Sequence, residues 1–311
     1  MKVLVTGGAG FIGSNIVDAL VKRGEDVTVL DNFLTGFRKN LQPLWKDIRV
    51  VKGDVRNPRD VKKAVGKNRI VIHQAAIRSV PKSVDDPCLS HNVNATGTLL
   101  LLEEARRAGV QRFVYASSSS VYGDVAKFPQ TEKDALLPLS PYGVSKLAGE
   151  NYCYTYYSNF GLETVALRYF NVYGPRQNPE SKYSAVVPAF LDMIRKGKSP
   201  VIDGDGRQSR DFTYVGDVVR ANLAGAFGPK RCAGHAYNIG GGNEVSVLGV
   251  LQELVRATGK SVKPKFGPSR KGDARRTVAD LSKARRLLGW KPSITFREGI
   301  QKTVEWFDAA R

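Results

Sequence analysis

The sequence predicts an α/β protein: a doubly wound parallel sheet with a smaller, interwoven C-terminal domain laid over a substrate. Three observations carry this. Short, apolar, β-branched runs alternate with helix-length segments through the first half. The first of these runs leads straight into a glycine-rich turn that opens a helix. After about residue 170 the alternation loosens into Gly- and Pro-rich loops at 173–179, 197–206 and 240–243, with shorter helices between. Continuous apolar strands separated by helices argue for a parallel sheet covered on both faces. Right-handed crossovers make that sheet doubly wound. The boundary is read between a first domain, 1–170, and a second, 171–311, without a linker or an internal repeat.

In chain order, strands are expected at Lys2–Thr6, 26–30, Ile48–Lys52, Ile70–His73, 112–116 and 163–168. Helices are expected between them at Phe11–Lys22, Pro58–Val65, 87–108 and 141–159. No apolar run approaches the roughly 20 residues a membrane helix requires. The N-terminal segment enters a short strand rather than the long apolar stretch of a secretory signal. The three cysteines, Cys88, Cys153 and Cys232, show no CxxC spacing. They predict a reducing, cytoplasmic setting with no structural metal.

The chain carries 48 Lys and Arg against 29 Asp and Glu, a net charge of +19. Part of the excess falls late, at Arg270-Lys271, Arg275-Arg276 and 283–286, and the rest is scattered. No aromatic–basic interleaving or DNA-reading motif accompanies it. The expectation is a solvated basic surface, part of which attracts an anionic substrate, and no nucleic-acid partner.

Gly7, Gly10 and Gly13 follow the first strand and open the first helix, with Phe11 and Ile12 between them. In a dinucleotide cradle one glycine permits the tight turn and one lets the backbone approach a pyrophosphate. The third lets helix and sheet pack closely. The diphosphate then meets a helix N-terminus. Asp31 closes the second strand, 18 residues after Gly13, at the spacing of a ribose partner. A carboxylate there accepts from ribose hydroxyls and repels a 2′-phosphate, so NAD is favoured over NADP; Arg38 and Lys39 nearby are the counter-argument. Gly53, Asp54 and Val55, after the third strand, are placed for the adenine ring or form a strand-ending turn.

Tyr142 and Lys146 are four residues apart, on one face of the helix expected at 141–159. A neighbouring ammonium favours the phenolate of a tyrosine whose ordinary pKa is about 10, making a base usable near neutral pH. Ser118, in the serine run at the end of the preceding strand, would hold the substrate hydroxyl.

These stretches, with His73-Gln74-Ala75-Ala76, 94–98, 117–123, 168–176, Ser209-Arg210-Asp211-Phe212 and Gly272-Asp273, resemble the extended short-chain dehydrogenase/reductase family over essentially the whole chain. Within it they are most similar to the UDP-glucose and UDP-N-acetylglucosamine 4-epimerases. The resemblance implies a Rossmann domain that holds NAD through Gly7, Phe11, Ile12, Asp31, Asn32, Asp54, Arg78, Asn94, Tyr142 and Lys146. It makes Ser118 the hydroxyl partner of Tyr142. It implies a UDP-sugar site in which Asn171 contacts phosphate or sugar, Arg210 and Arg270 clamp the pyrophosphate, and Val186 and Ile202 lie against the uracil. Asp273 belongs to the same motif. It also implies a homodimer joined through the helices at 87–108 and 141–159.

Related 4,6-dehydratases carry Asp-Glu directly after the catalytic hydroxyl residue, and related decarboxylases carry a Glu at the second of those positions. This chain has Ser119-Ser120. Oxidation followed by reduction at C4 of the sugar is therefore the implied chemistry. UDP-glucuronate 4-epimerases share the serine run and stay open as an alternative, as does another nucleotide-sugar oxidoreductase of the fold. Thr277, where hexose-restricted epimerases resemble one another in a bulky tyrosine, would leave room for an N-acetyl group, or is an ordinary strand residue.

Overall fold

Six strands alternate with helices along the first half of the chain: β1 (Lys2–Thr6), β2 (Asp26–Asp31), β3 (Ile48–Lys52), β4 (Ile70–His73), β5 (Arg112–Ser118) and β6 (Glu163–Tyr169). A seventh, β7 (His235–Ile239), arrives from far down the chain and pairs with β6. The computed structural model describes residues 1–124, 127–179, 185–268 and 275–309. The strand order is β7-β6-β5-β4-β1-β2-β3, and every pairing is parallel. The order reverses between β1 and β4, so the carboxyl ends on either side of that point diverge and leave a crevice. The doubly wound sheet is as expected. β2, β5 and β6 run one or two residues longer than predicted, and the extension of β5 buries Ser117 and Ser118 at its tip.

Helices cover both faces. On one lie α1 (Phe11–Lys22) and α8 (Val215–Phe227), burying Ile16, Val17, Leu20, Val218 and Val219. On the other lie α2 (Pro58–Val65), α5 (Gly97–Arg107) and α6 (Pro141–Phe160), burying Val61, Leu101, Leu102, Cys153 and Tyr156. The single helix expected at 87–108 is instead α4 (Pro87–His91), a π-helical turn at Asn92–Thr96, and α5. The wide turn turns Asn94 inward, where its amide holds Ile77 and Ser145. A short α3 (Val80–Asp85) precedes it.

A third core lies between α7 (Val186–Arg195), α9 (Val247–Thr258) and α10 (Phe296–Ala309), around Phe190, Ile194, Leu254 and Ile300. The chain after residue 171 builds this core but also returns β7, α8 and the buried Leu281, Leu288 and Trp290 to the first one.

α6 begins where Ser140 accepts from Gly143 N at 3.1 Å with Pro141 in the first turn, and ends at Gly161 with φ +70°. It lies close on β5: a Cβ on Gly149 would stand 2.3 Å from the Tyr115 hydroxyl oxygen, which donates to Lys146 O at 3.2 Å. Glu150, one turn past Lys146, forms a buried ion pair with Arg168 of β6 and accepts from Ser117 Oγ at 2.8 Å. Arg168 Nη1 donates to the Tyr122 hydroxyl at 2.8 Å, which donates to Asn238 Oδ1 of β7 at 2.6 Å.

Exchanging a mid-helix Gly for Ala ordinarily stabilises by about 0.5–1 kcal/mol. Gly149→Ala should do the reverse here, lowering stability by about 1–3 kcal/mol through overpacking against Tyr115. Thermal unfolding checks this; a Tm equal to or above that of the parent contradicts the close approach.

Candidate active site

The crevice at the strand-order reversal is lined, on the β1 side, by Gly7, Gly10, Phe11, Ile12 and Gly13. Gly7 has φ +66°, and a Cβ on it would stand 2.7 Å from Ala75 N. A Cβ on Gly13 would stand 2.1 Å from Gly7 O. Both positions admit only glycine. Gly10 meets a single atom, Gly7 O at 3.2 Å, and precedes α1 without a side-chain cap. The first backbone N–H groups of α1 thus open onto a smooth glycine floor, a shape and polarity suited to a diphosphate.

Further out, Asp31, Asn32, Asp54 and Val55 line the same cleft. Asp31 accepts from Ala9 N and Phe33 N, each at 2.8 Å; burial raises its pKa, and these two bonds oppose the rise. A carboxylate oxygen has lone-pair capacity for a further donor, and a ribose hydroxyl fits. Asn32 Nδ2 donates to Asp54 Oδ2 at 2.9 Å, and the Arg56 side chain holds the Asp54 carboxyl down at about 2. Arg38 and Lys39 do not answer for a 2′-phosphate: they lie over the Phe33 and Phe37 rings at 5.4 and 5.5 Å, and the cleft wall at this point is 35–37.

At the inner end stand Arg78, Tyr142 and Lys146. Burial raises the Tyr142 phenol above its ordinary value, while the neighbouring Ser118 hydroxyl and the charge of Arg78 pull it back; Ser118 Oγ itself donates to Ser120 Oγ at 3.2 Å. Lys146 Nζ donates to Ala116 O at 2.7 Å and lies over the Tyr115 ring, and burial lowers its pKa to about 7. The charge of Arg78 acts on the phenol. His73, buried at the end of β4, is bonded to Thr6 Oγ1 and Thr98 Oγ1 at 2.6 and 2.9 Å; burial pushes it down to about 3, and it is neutral.

Asn94 departs from expectation. Its amide is occupied by Ile77 N, Ile77 O and Ser145 Oγ at 2.8–3.0 Å, and it does not line the cleft. It positions the 76–78 loop that carries Arg78.

Two residues beyond Tyr169, which lines the cleft, Asn171 marks the start of a second group. Its Nδ2 donates to Asp211 O at 3.0 Å and lies 3.4 Å from Thr277 Oγ1. Arg210, half-buried, sits in the strand Ser209–Asp211 and donates to Ser209 O. The segment carrying Thr277 runs alongside that strand, joined by Ser209 N to Arg275 O at 3.1 Å and Ala279 N to Asp211 Oδ2 at 3.0 Å. Thr277 lies outside any strand and is half-buried. Val186 begins α7, half-buried against the third core. Ile202 does not face a base: it is fully buried in that core, and Val201, 49% exposed, is the residue its short strand presents outward. Arg270 and Asp273 lie outside the described residues.

Sequence reasoning gave Asp211 and Gln74 no role. Asp211 is completely buried and gathers Gly241 N, Gly242 N and Ala279 N on its carboxylate, which burial raises to about 6. Gln74 lines the cleft and bonds both Tyr169 and Asn222 at 3.0 Å. Gln74 and Asp211 lie in the stretches 73–76 and 209–212, but their partners lie far away in sequence. Among the described residues no group of His, Cys, Asp or Glu could hold a metal, and no helix is long and apolar enough to cross a membrane.

A family model described as GDP-mannose 4,6 dehydratase matches residues 4–303. The chain is 41% identical over 306 residues to a putative UDP-glucose 4-epimerase of Methanocaldococcus jannaschii, covering 98% of this chain and 97% of that one. Among solved structures it matches UDP-glucose 4-epimerase of Thermotoga maritima with UDP-glucose, at TM-score 0.94 and 37% identity over 100% and 99% of the two chains. It matches the Thermus thermophilus UDP-glucose 4-epimerase complex with NAD at TM-score 0.90 and 40% identity over the whole of both. A UDP-N-acetylglucosamine 4-epimerase of Methanobrevibacter ruminantium (TM-score 0.94, 36%, 100% and 99% covered) and a UDP-glucuronic acid 4-epimerase of Bacillus cereus (0.92, 35%, 100% of each) show that similar chains act on different sugars.

The lowered Lys146 pKa has a measurable sign. Below about pH 7 both folded and unfolded states carry the proton. Between there and the ordinary value of 10.5 the folded state loses it first, so the unfolded state binds more protons and stability rises with pH. In nucleotide-free protein, the stability of Lys146→Met relative to the parent should fall by more than about 1 kcal/mol from pH 7 to 9. Denaturant unfolding at both pH values checks this; a constant difference contradicts it.

Proposed function

The chain belongs to the family described by the GDP-mannose 4,6-dehydratase model, within the extended short-chain dehydrogenase/reductases, and on that premise we propose that it is an NAD-dependent UDP-sugar 4-epimerase. The observation that carries this reading is Tyr142, backed by Ser118 and Arg78, at the inner end of a dinucleotide cleft, beside Ser119-Ser120 rather than an acidic pair. Dehydration needs a positioned acid and base beyond the tyrosine; these two serines supply neither carboxylate.

NAD fits the glycine floor. Gly7, Gly10, Phe11, Ile12 and Gly13 would hold its diphosphate, Asp31 and Asn32 the adenosine ribose, and Asp54 and Val55 the adenine side. Arg78, Tyr142 and Lys146 would bound the nicotinamide end. Bound there, it supplies an acceptor for the hydride of the sugar C4–H and a donor for its return. The rest is the chain's own work. Tyr142 removes the proton of the 4-hydroxyl and gives it back. Ser118 holds that oxygen, and Arg78 offsets the cost of a buried phenolate. Lys146, anchored on Ala116 O, fixes the face of α6 that presents Tyr142. Arg210, with Arg270, would hold the substrate diphosphate, leaving the sugar free to present either face.

UDP-glucose/UDP-galactose and UDP-GlcNAc/UDP-GalNAc are the proposed pairs. Supporting the wider range is Thr277, a small residue 3.4 Å from Asn171 in the group that follows the end of β6. A homodimer belongs to the same reading; Val144, Tyr154 and Phe160 leave apolar surface exposed along α6.

Purified protein should be incubated separately with UDP-glucose, UDP-galactose, UDP-GlcNAc, UDP-GalNAc and UDP-glucuronate. Turnover of the first four, with glucuronate slowest, is expected. Faster glucuronate turnover replaces the sugar assignment, and no epimer from any substrate overturns the reading. Thr277→Tyr should reduce N-acetylhexosamine rates at least tenfold more than hexose rates; equal losses on both remove Thr277 from the size gate.

A further inference from the structure

We propose that Arg176 fastens the bound dinucleotide in its cleft, reaching across from the half of the chain that holds the substrate. The inference rests on the dinucleotide reading above.

Arg176 follows the two-residue strand Val172–Tyr173 through a turn of unusual backbone. Asn171, Gly174 and Arg176 have φ of +22°, +143° and +69°. Gly174 is required, since a Cβ there would stand 2.6 Å from Val215 Cγ1. Arginine at +69° is a left-handed residue with a full side chain, a conformation that persists only where neighbours enforce it.

The neighbours belong to the phosphate-binding end of α1. Arg176 Nη1 donates to Ser14 O at 2.6 Å, and Nη2 stands 3.7 Å from Asp18 Oδ1. Beside it, Asn15 Nδ2 donates to Pro175 O at 3.1 Å. Arg176 and Asn178 line the cleft together with Phe11, Ile12 and Gly13.

Ser14 O and Asp18 hold the guanidinium alongside α1, and Arg176 lines the cleft whose glycine floor suits a diphosphate. Among the described residues the guanidinium makes one hydrogen bond, to Ser14 O, so the fork keeps donors for phosphate oxygens. A strained backbone and a cation on the cleft wall thus have one common purpose: slowing departure of a cofactor that must survive each catalytic round.

The test uses the purified holoenzyme. Arg176→Gly removes the side chain and suits φ +69°, so folding is kept: relief of strain and the added freedom of the unfolded chain act in opposite directions. NAD remaining on the protein is assayed over time after rapid gel filtration, alongside the Tm of nucleotide-free protein. The expected result is NAD release at least tenfold faster in Arg176→Gly, with Tm within about 3 °C of the parent and turnover made dependent on added NAD. Arg176→Lys, which keeps the charge but loses the fork, should fall between. Release within twofold of the parent overturns the proposal while leaving the cofactor reading intact. A parent protein that neither carries nor binds NAD overturns both.

Discussion

The site depends on holding α6 against the sheet, and the interaction that does so is the buried pair of Glu150 and Arg168. Two charges taken out of water are tolerated only when every remaining donor and acceptor is engaged, and removing one partner of such a pair costs about 3–5 kcal/mol. Here the engagement is thorough. Glu150 accepts from Ser117 as well as Arg168, and Arg168 passes a hydrogen bond to Tyr122, which passes one to Asn238. One end of this chain of bonds lies next to Ser118. The other reaches Asp280 O through Asn238 Nδ2 at 3.3 Å, three residues from Thr277. A single polar network therefore sets the tip of β5, the helix α6 and the C-terminal segment beside Thr277 into one frame. Gly149 permits the approach, and Lys146 on Ala116 O completes it.

Within that frame the charges divide their work by depth. The outer cleft keeps carboxylates, with Asp54 held ionised by Arg56 and Asp31 engaged by two backbone N–H groups. Toward the inner end, burial lowers the pKa of Lys146. The charge of Arg78 acts on Tyr142. In the proposed reaction, a proton shuttled by Tyr142 would move where few other groups compete for it.

Local pattern made the first half of the fold legible. The bounds of β1, β3, β4, α1 and α2 follow directly from apolar runs and from Asn57-Pro58 and glycine punctuation. The cradle and the Tyr142/Lys146 spacing were legible for the same reason, since their geometry is fixed within one turn or one loop. What escaped was set by distant partners. The strand β7 has no local feature separating it from a loop strand, and only pairing with β6 makes it part of the sheet. Asn94 has the sequence setting of a cofactor ligand, yet the π-turn spends its amide on Ile77 and Ser145. Ile202 sits in a three-residue strand, too short for alternation to tell the inward residue from the outward one. Arg176 reads as one more surface arginine until its φ and its hold on Ser14 are seen.

In the proposed epimerisation a hydride leaves C4 of a UDP-sugar and returns to the same carbon. UDP-glucose carrying deuterium at C4, incubated with purified protein in ordinary water without added dinucleotide, tests it most directly by mass spectrometry of the product. The account predicts UDP-galactose that keeps its deuterium at C4, with no reduced nucleotide accumulating in solution. Loss of the label to solvent, or stoichiometric formation of free NADH, would contradict it.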